Sequence, residues 1–434
     1  MSDTPSPTGP VQPPRLWNRN FSLLLEGQLV SSIGKQAFAL AAMLWLKELT
    51  GSGTLMGLVM TVAMLPMVVL GPISGVIVDR WNRQRLIAWT DIAGGILVLA
   101  AAAFFFLPFS TAVRIGVIFF VTVLTGLLDT ISQPAIGASV PDLVPRERLE
   151  AANGLNMSGM QVAMFISQGF AGVLFVAIGM PFLVLVNAAT YLAAGTSELF
   201  IRIPRRERPK DSHLHPWVRF TNDFKEGFRF IMANPGMRTA MLLAAVQNFF
   251  IAPVIVLMPF LVEDFLGLAP QWYGYLMAAF GAGALVGYAL AGSIRVTGRA
   301  REATIIGSMA LQSAVIPFLL LIHAPAALVA GMAFAGAMGG ICNVQFISLL
   351  QIATPPALLG RVQGLVTTIS AGVMPLGMAL AGIVFDLVGK NIPLMYSVSP
   401  GLTVLFTLLG LLSRRYREFL RSDGPAEEPG QETR

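Results

Sequence analysis

Long apolar runs separated by short polar turns make up most of the chain. About 20 apolar residues cross the hydrocarbon of a bilayer, and the pattern predicts twelve such runs, over 21–46, 55–79, 86–107, 112–134, 157–179, 181–201, 238–262, 270–293, 303–323, 326–349, 362–386 and 392–413. Links such as Gly179-Met180-Pro181 are so short that the helices they join must be antiparallel hairpins. The pattern changes once, over 202–237, the longest polar interruption. There Trp217, Phe220, Phe224, Phe228 and Ile231 recur at spacings of 3, 4, 4 and 3. They fall within about 80° of a helical wheel, opposite Arg219, Asn222, Asp223, Lys225, Glu226 and Arg229. That face suits an amphipathic helix lying on a membrane surface and tethering two halves. The expected fold class is therefore an all-α integral membrane protein with twelve transmembrane helices in two six-helix pseudo-repeats.

Charge gives this pattern an orientation. Only 12% of residues are charged and 55% are hydrophobic, with a mean hydropathy of +0.70; soluble domains carry about a quarter charged residues. Of 29 Lys and Arg, Lys35 lies within a membrane run and Lys47, Arg114 and Lys390 lie on one side; the others gather in the tails and loops of the opposite side. Retained positive charge marks the cytoplasmic face. The distribution predicts a multi-pass membrane protein with both termini cytoplasmic, and it argues against nucleic acid as a partner despite the formal charge of +6. Five prolines within residues 1–14 read as a disordered cytoplasmic tail rather than a cleavable signal. The division is then a tail over 1–14, a six-helix bundle over 15–201, a cytoplasmic linker over 202–237, a second six-helix bundle over 238–413 and a cytoplasmic tail over 414–434. The single Cys342 can form no internal disulfide.

The two bundles are related in sequence. A shift of 216 carries Gly71, Arg83 and Arg85 onto Gly287, Arg299 and Arg301, with Gly298 opposite Asn82 and Arg295 opposite Asp79. A shift of 210 carries Pro145, Leu149, Gly154 and Leu155 onto Pro355, Leu359, Gly364 and Leu365. Duplicated halves are a common transporter plan.

The most informative stretch runs from Gly71 to Arg85. An apolar, Gly-rich helix leaves the bilayer at Asp79, turns through Arg80, Arg83 and Arg85, and re-enters. Gly71 and Gly75 share a face that would let a neighbouring helix come close, and Asn82 is a residue that tolerates a left-handed turn. Gly75-x-x-x-Asp79-Arg80-x-Asn82-Arg83-x-Arg85 resembles the motif between helices 2 and 3 of major facilitator superfamily transporters, with Asn82 where that family usually has Gly. The resemblance implies alternating access and a cytoplasmic gating network of Gly75, Asp79, Arg80, Arg83, Arg85, Asp91 and Asp129, in which Asp129 pairs with Arg83. Trp17-Asn18-Arg19-Asn20-Phe21, Gly27-Gln28-Leu29-Val30-Ser31 and Glu226-Gly227-Phe228 extend the likeness to a bacterial branch. That branch contains macrolide efflux pumps, the enterobactin exporter and the lysophospholipid transporter, and the likeness implies a place in the bacterial inner membrane. One departure weakens a drug–proton antiporter reading: Gln168-Gly169-Phe170-Ala171-Gly172 lacks the Gly-Pro pair usual there.

Charges inside a bilayer are expensive and call for a function. Lys35 lies about 21 Å along helix 1, near the midplane, too deep for easy contact with Asp91 or Asp129. Gln28, Ser31 and Ser32 share its face, whereas Glu26 points the other way. Gln247, Asn248, Asn343 and Gln345 add amides at similar depth in the second half. Lys35, Glu26, Gln28, Ser31 and these four amides are the candidates for a substrate or proton site between the halves; amides can equally serve as interhelical glue. Asp142, expected beside Arg146, and Glu198 read as salt-bridged or solvated. No His-Glu-x-x-His, Gly-x-Ser-x-Gly or phosphate-binding loop occurs, and His213 and His215 alone are too few for a metal site. No enzyme, cofactor or metal is expected. The reading is a monomeric, lipid-embedded secondary transporter that exports hydrophobic or amphipathic small molecules with a proton as coupling ion. Alternatives are an anionic-lipid or siderophore transporter, in which Lys35 holds the anion, and a receptor or scaffold that does not transport.

Overall fold

The computed structural model describes residues 16–145, 148–203, 216–294, 296–322, 324–355 and 358–424. Within them, the surroundings of Gly75 and the side chains of Asp79, Arg80, Gln168, Trp217, Phe220 and Asp223 lie outside what is described, as do Arg146, His213, His215 and Arg295. Among the described residues all regular structure is helical. The order is α1 (Arg19–Thr50), α2 (Gly53–Arg80), α3 (Arg83–Phe106), α4 (Thr111–Leu143), α5 (Leu149–Glu198), α6 (Pro216–Ala233), α7 (Pro235–Val256), the short α8 (Met258–Phe260) with a π-helical turn over Leu261–Phe265, α9 (Gln271–Ser293), α10 (Gly298–Phe318), α11 (Pro325–Ala353), α12 (Leu359–Leu387), α13 (Ile392–Leu411) and α14 (Arg414–Leu420).

Local chemistry sets the ends. The Asn18 side chain accepts from Phe21 N and that of Asn82 accepts from Arg85 N, each satisfying an orphan amide of a first helical turn. Asn82 is thus an extended N-cap at φ −70°, not the left-handed turn residue expected; its counterpart Gly298 does take φ +55°. Gly51 closes α1 in the left-handed region, at φ 57°. Gly179, at φ 72°, breaks α5 into the two antiparallel arms predicted across Gly179-Met180-Pro181. The amphipathic pattern of the long inner connection becomes helix α6, on which Phe224 and Phe228 stack in the open while Phe230 and Ile231 are buried.

Every run read as a crossing coincides with helix, yet the count of twelve is not fixed by length and composition. Among the described residues nine helical stretches are long and apolar enough to cross a membrane, and the fully described part of α12, Gly372–Leu387, adds a shorter apolar one. The polar-studded α10 falls outside that set, and of the first arm of α5 only the part from Gly169 onward enters it. Packing forms two groups: α1 lies on α5, α3 on α4 and α5, and α2 on α4; α9 lies on α11, α7 on α12 and α13, and α10 on α11 and α13. The groups touch through α2 against α12 and α5 against α9. Small residues allow this. Gly57 sits against the Met378 carbonyl, Gly382 against that of Gly53, and Gly281 against the ring of Phe165. Gly71, expected to admit a close neighbour, has open space beside it; its counterpart Gly287 packs directly on the backbone of Ala337.

Candidate functional site

Four ionisable side chains gather inside the first group of helices. Lys35 of α1 donates to Asp129 of α4 at 2.7 Å and to Asp91 of α3 at 3.4 Å. Its ammonium also lies 4.6 Å from the ring centroid of Tyr191, a cation–π distance. Asp91 is 1% exposed at its side chain and Asp129 34%, so one carboxylate is sealed and the other is partly exposed. Next to them Glu198 is fully buried and accepts from Gln28 Nε2 at 3.0 Å. Oδ2 of Asp91 and Oε2 of Glu198 have no hydrogen-bond partner. A Cβ built on Gly27 would stand 2.9 Å from the Glu198 carboxylate, so a glycine there lets the acid lie against α1. Gln28 and Ser31 are both buried on this face.

These contacts correct three expectations. Lys35 is not out of reach of Asp91 and Asp129. Side chains on a helix lean toward its N-terminus, so Lys35 leans back down α1 while Asp129, on an antiparallel helix, leans up to meet it. Asp129 does not pair with Arg83. Arg83 instead donates to Asp142 at 2.5 Å and to the Ala138 carbonyl at 2.6 Å, and Asp91 joins Lys35 rather than the arginines. Glu198 is neither salt-bridged nor solvated, because α1 and α3 close over the end of α5. Glu26 is exposed, with no ion pair to a described residue.

The second group holds a cavity of about 570 Å³. Gln247 and Asn248 of α7, Gln312 of α10 and Asn343 of α11 supply its amides, and Phe280, Tyr288, Phe346 and Met374 its apolar wall. None of its described lining residues is charged. Gln247 donates to Gln312 at 3.2 Å, which fixes two amides against each other. Gln345, one of the four expected amides, is buried but turned away from the lining. Gln312 was legible by the same signal as Gln247, an amide in an apolar run. Nothing in the sequence singled out Tyr191.

The groups are bolted together at the ends remote from the chain termini. Lys47 at the end of α1 is held 3.0 Å from both Glu263 and Asp264, which the wide π turn presents side by side. Asp386 at the end of α12 accepts from Ser52 Oγ at 2.9 Å and from the amides of Gly53 and Thr54 at 3.0 and 2.9 Å, capping α2 across the seam. Thr61 donates to the Pro375 carbonyl at 2.8 Å. Among the described residues no group of histidine, cysteine and acidic side chains is arranged to hold a metal.

The model of a family described as transmembrane secretion effectors matches residues 9–423. Macrolide efflux protein A of Streptococcus pyogenes is 24% identical over 86% of this chain and 91% of its own length. The enterobactin exporter EntS of Shigella boydii serotype 4 is 25% identical over 83% of this chain and 84% of its own. Among solved structures, a bacterial homologue of the human lysosomal transporter Spinster, inward-facing and unoccupied, superposes with a TM-score of 0.66 at 15% identity, covering 93% of this chain and 97% of that one. The nucleoside transporter NupG gives 0.68 at 12% identity, over 91% and 99%. A helical bundle crossing the membrane many times, duplicated in sequence and carrying a family match over nearly its whole length, is a transporter and not an enzyme: the chain belongs to the transmembrane secretion effector family of the major facilitator superfamily.

Proposed function

We propose that the chain is a proton-coupled exporter of hydrophobic or amphipathic small molecules. It works by alternating access as a monomer in a bacterial inner membrane, with both termini in the cytoplasm. Two six-helix bundles, 15–201 and 238–413, would rock about the gap between them, joined by the linker over 202–237. The observation that carries the reading is a lysine held between two carboxylates in one bundle, together with a cavity in the other whose described lining carries no charge. Lys35, Asp91, Asp129 and Glu198 hold three acids against one base, so taking up a proton reduces the excess negative charge where unpaired charge is costly. Asp129 is the most exposed member of the cluster and the natural port of entry.

With the basic loops cytoplasmic, the seam at Lys47 and Asp386 closes the outside and the cavity faces inward. Cargo would rest on the aromatic wall and the amides of Gln247, Asn248, Gln312 and Asn343. The Arg83–Asp142 pair would belong to the opposite, cytoplasmic gate. The names of the relatives support export rather than uptake. The enterobactin exporter favours a second reading, an anionic siderophore or lipid as cargo. In that reading Lys35, already engaged by two acids, would have to exchange a carboxylate for the cargo's anion.

The test is transport in proteoliposomes with a labelled macrolide as probe and an imposed pH gradient. Uphill movement that collapses when an ionophore dissipates the gradient is the expected result. Movement indifferent to the gradient removes proton coupling. If Lys35→Ala and Glu26→Gln both leave gradient-driven transport intact, the assignment of the site fails.

A further inference from the structure

A second cavity, of about 440 Å³, lies at the opposite end of the first bundle from the Lys47 seam, where α1 and α3 begin and α5 ends. Arg19, Gln84, Leu199, Phe200 and Arg202 are among the residues that line it, and none of the described lining residues is acidic. Its walls are tied together. Gln84 Nε2 donates to the Leu199 carbonyl at 2.7 Å, and the Asn20 side chain both donates to the Arg202 carbonyl and accepts from its amide at 3.1 Å. That two-point clamp fixes Arg202 against the first turn of α1, beside Arg19. Neither guanidinium enters an ion pair among the described residues, and both are exposed. Two arginines with no ion pair among the described residues, in a concavity whose described lining holds no acid, suit a multivalent oxyanion, because each planar fork matches phosphate oxygens in pairs.

The rim decides what carries the phosphate. Leu199 and Phe200 are 43% and 61% exposed at the edge of the cavity, and Trp17, 57% exposed, stands two residues before Arg19 against Phe21. These apolar and aromatic groups sit where transmembrane helices start and stop, the level of lipid headgroups. A soluble anion would gain nothing from that rim; a phospholipid would lay its acyl chains along it.

We propose that this pocket binds the phosphate headgroup of an anionic phospholipid from the surrounding leaflet, with Arg19 and Arg202 as its ligands. Basic pockets between transmembrane helices are a recurrent means of lipid recognition. The bound lipid would clip α1, α3 and the end of α5 together just before the linker begins. This site is separate from the cargo cavity and does not depend on proton coupling or on the identity of the cargo.

The experiment is native mass spectrometry of the full chain released from detergent, titrated with phosphatidylglycerol, phosphatidylethanolamine or sodium phosphate. Phosphatidylglycerol adducts should persist at collision energies that strip phosphatidylethanolamine. Arg19→Gln with Arg202→Gln should lower phosphatidylglycerol retention by about tenfold or more, at roughly one headgroup charge contact per arginine. Arg19→Lys with Arg202→Lys, which keeps the charge, should retain most of it. Arg299→Gln, exposed on the other bundle, should retain all of it. Each single glutamine variant is measured as well, so the proposal stands or falls even if the double variant does not fold. Equal retention of the two lipids, or full retention by the glutamine variants, overturns the proposal. Displacement of phosphatidylglycerol by millimolar phosphate would make the pocket a soluble-anion site and also overturn it.

Discussion

The two bundles grew from one pattern but differ in what they enclose. The interior of α1–α5 holds Lys35, Asp91, Asp129 and Glu198, packed so tightly that two carboxylate oxygens are left without partners. The corresponding region of α7–α13 holds amides and aromatics around open space, with no charge on the lining. The lesson is a division of labour: charge where the bundle is closed, neutral polarity where it is open. A buried ion pair is costly unless its geometry is held, and a dense bundle holds it. An open cavity lined by amides can meet many cargoes without paying to desolvate a charge. The same duplication shows how the halves drifted apart. Asn82 caps α3 with its side chain, whereas its counterpart Gly298 uses a left-handed backbone.

The strongest test of this contrast is Lys35→Ala. It strands the sealed Asp91 beside the partly exposed Asp129 as neighbouring like charges, and breaking a buried pair costs roughly 3–5 kcal/mol. Thermal unfolding in detergent should drop sharply and proteoliposome transport should vanish. Adding Asp91→Asn to the Lys35→Ala background should restore much of the stability but not the transport. An unchanged melting curve for Lys35→Ala would mean that the cluster is not a buried charge system at all.

Next in size is Glu198→Gln. The amide can still accept from Gln28 and fits the space beside Gly27, so stability should change by less than about 1 kcal/mol. If Glu198 exchanges protons during the cycle, the dependence of transport rate on pH should flatten. A pH profile superimposable on the parent's would remove Glu198 from the coupling. Lys47→Ala should act on the seam, freeing Glu263 and Asp264 and shifting the population toward opening on that side by about tenfold. Spin labels placed at positions 49 and 387 would read this as a longer distance; an unaltered distance distribution would sink the latch.

The smallest effect is expected in the uncharged cavity of the second bundle. Gln312→Leu removes one hydrogen bond from a cavity that stays open, so the probe's KM should rise about fivefold, near 1 kcal/mol. The pH profile should be unchanged. A shift in pH dependence here would break the division between a charged half and a neutral one.

By itself the sequence determined most of the architecture. Hydrophobic runs of membrane length, short hairpin links and the 216-residue repeat leave a duplicated helical membrane protein as the only economical packing, since backbone polar groups in lipid must be satisfied within helices. It also marked Lys35, Gln28, Gln247, Asn248 and Asn343, because a polar residue in an apolar run stands out. What it did not determine was which of these meet. Counting residues along each helix put Lys35 out of reach of Asp91 and Asp129, because depth along an axis ignores the lean of side chains toward helix N-termini and the antiparallel course of α4. Family resemblance sent Asp129 to Arg83, while packing gave Arg83 to Asp142. Glu198, near the end of its apolar run, looked solvated until α1 and α3 were seen to cover it. Such partnerships depend on relative helix rotation and stagger, which are set by close contacts such as Gly27 on Glu198 and Gly57 on Met378. Those contacts join residues far apart in the chain, so only the tertiary structure could decide them.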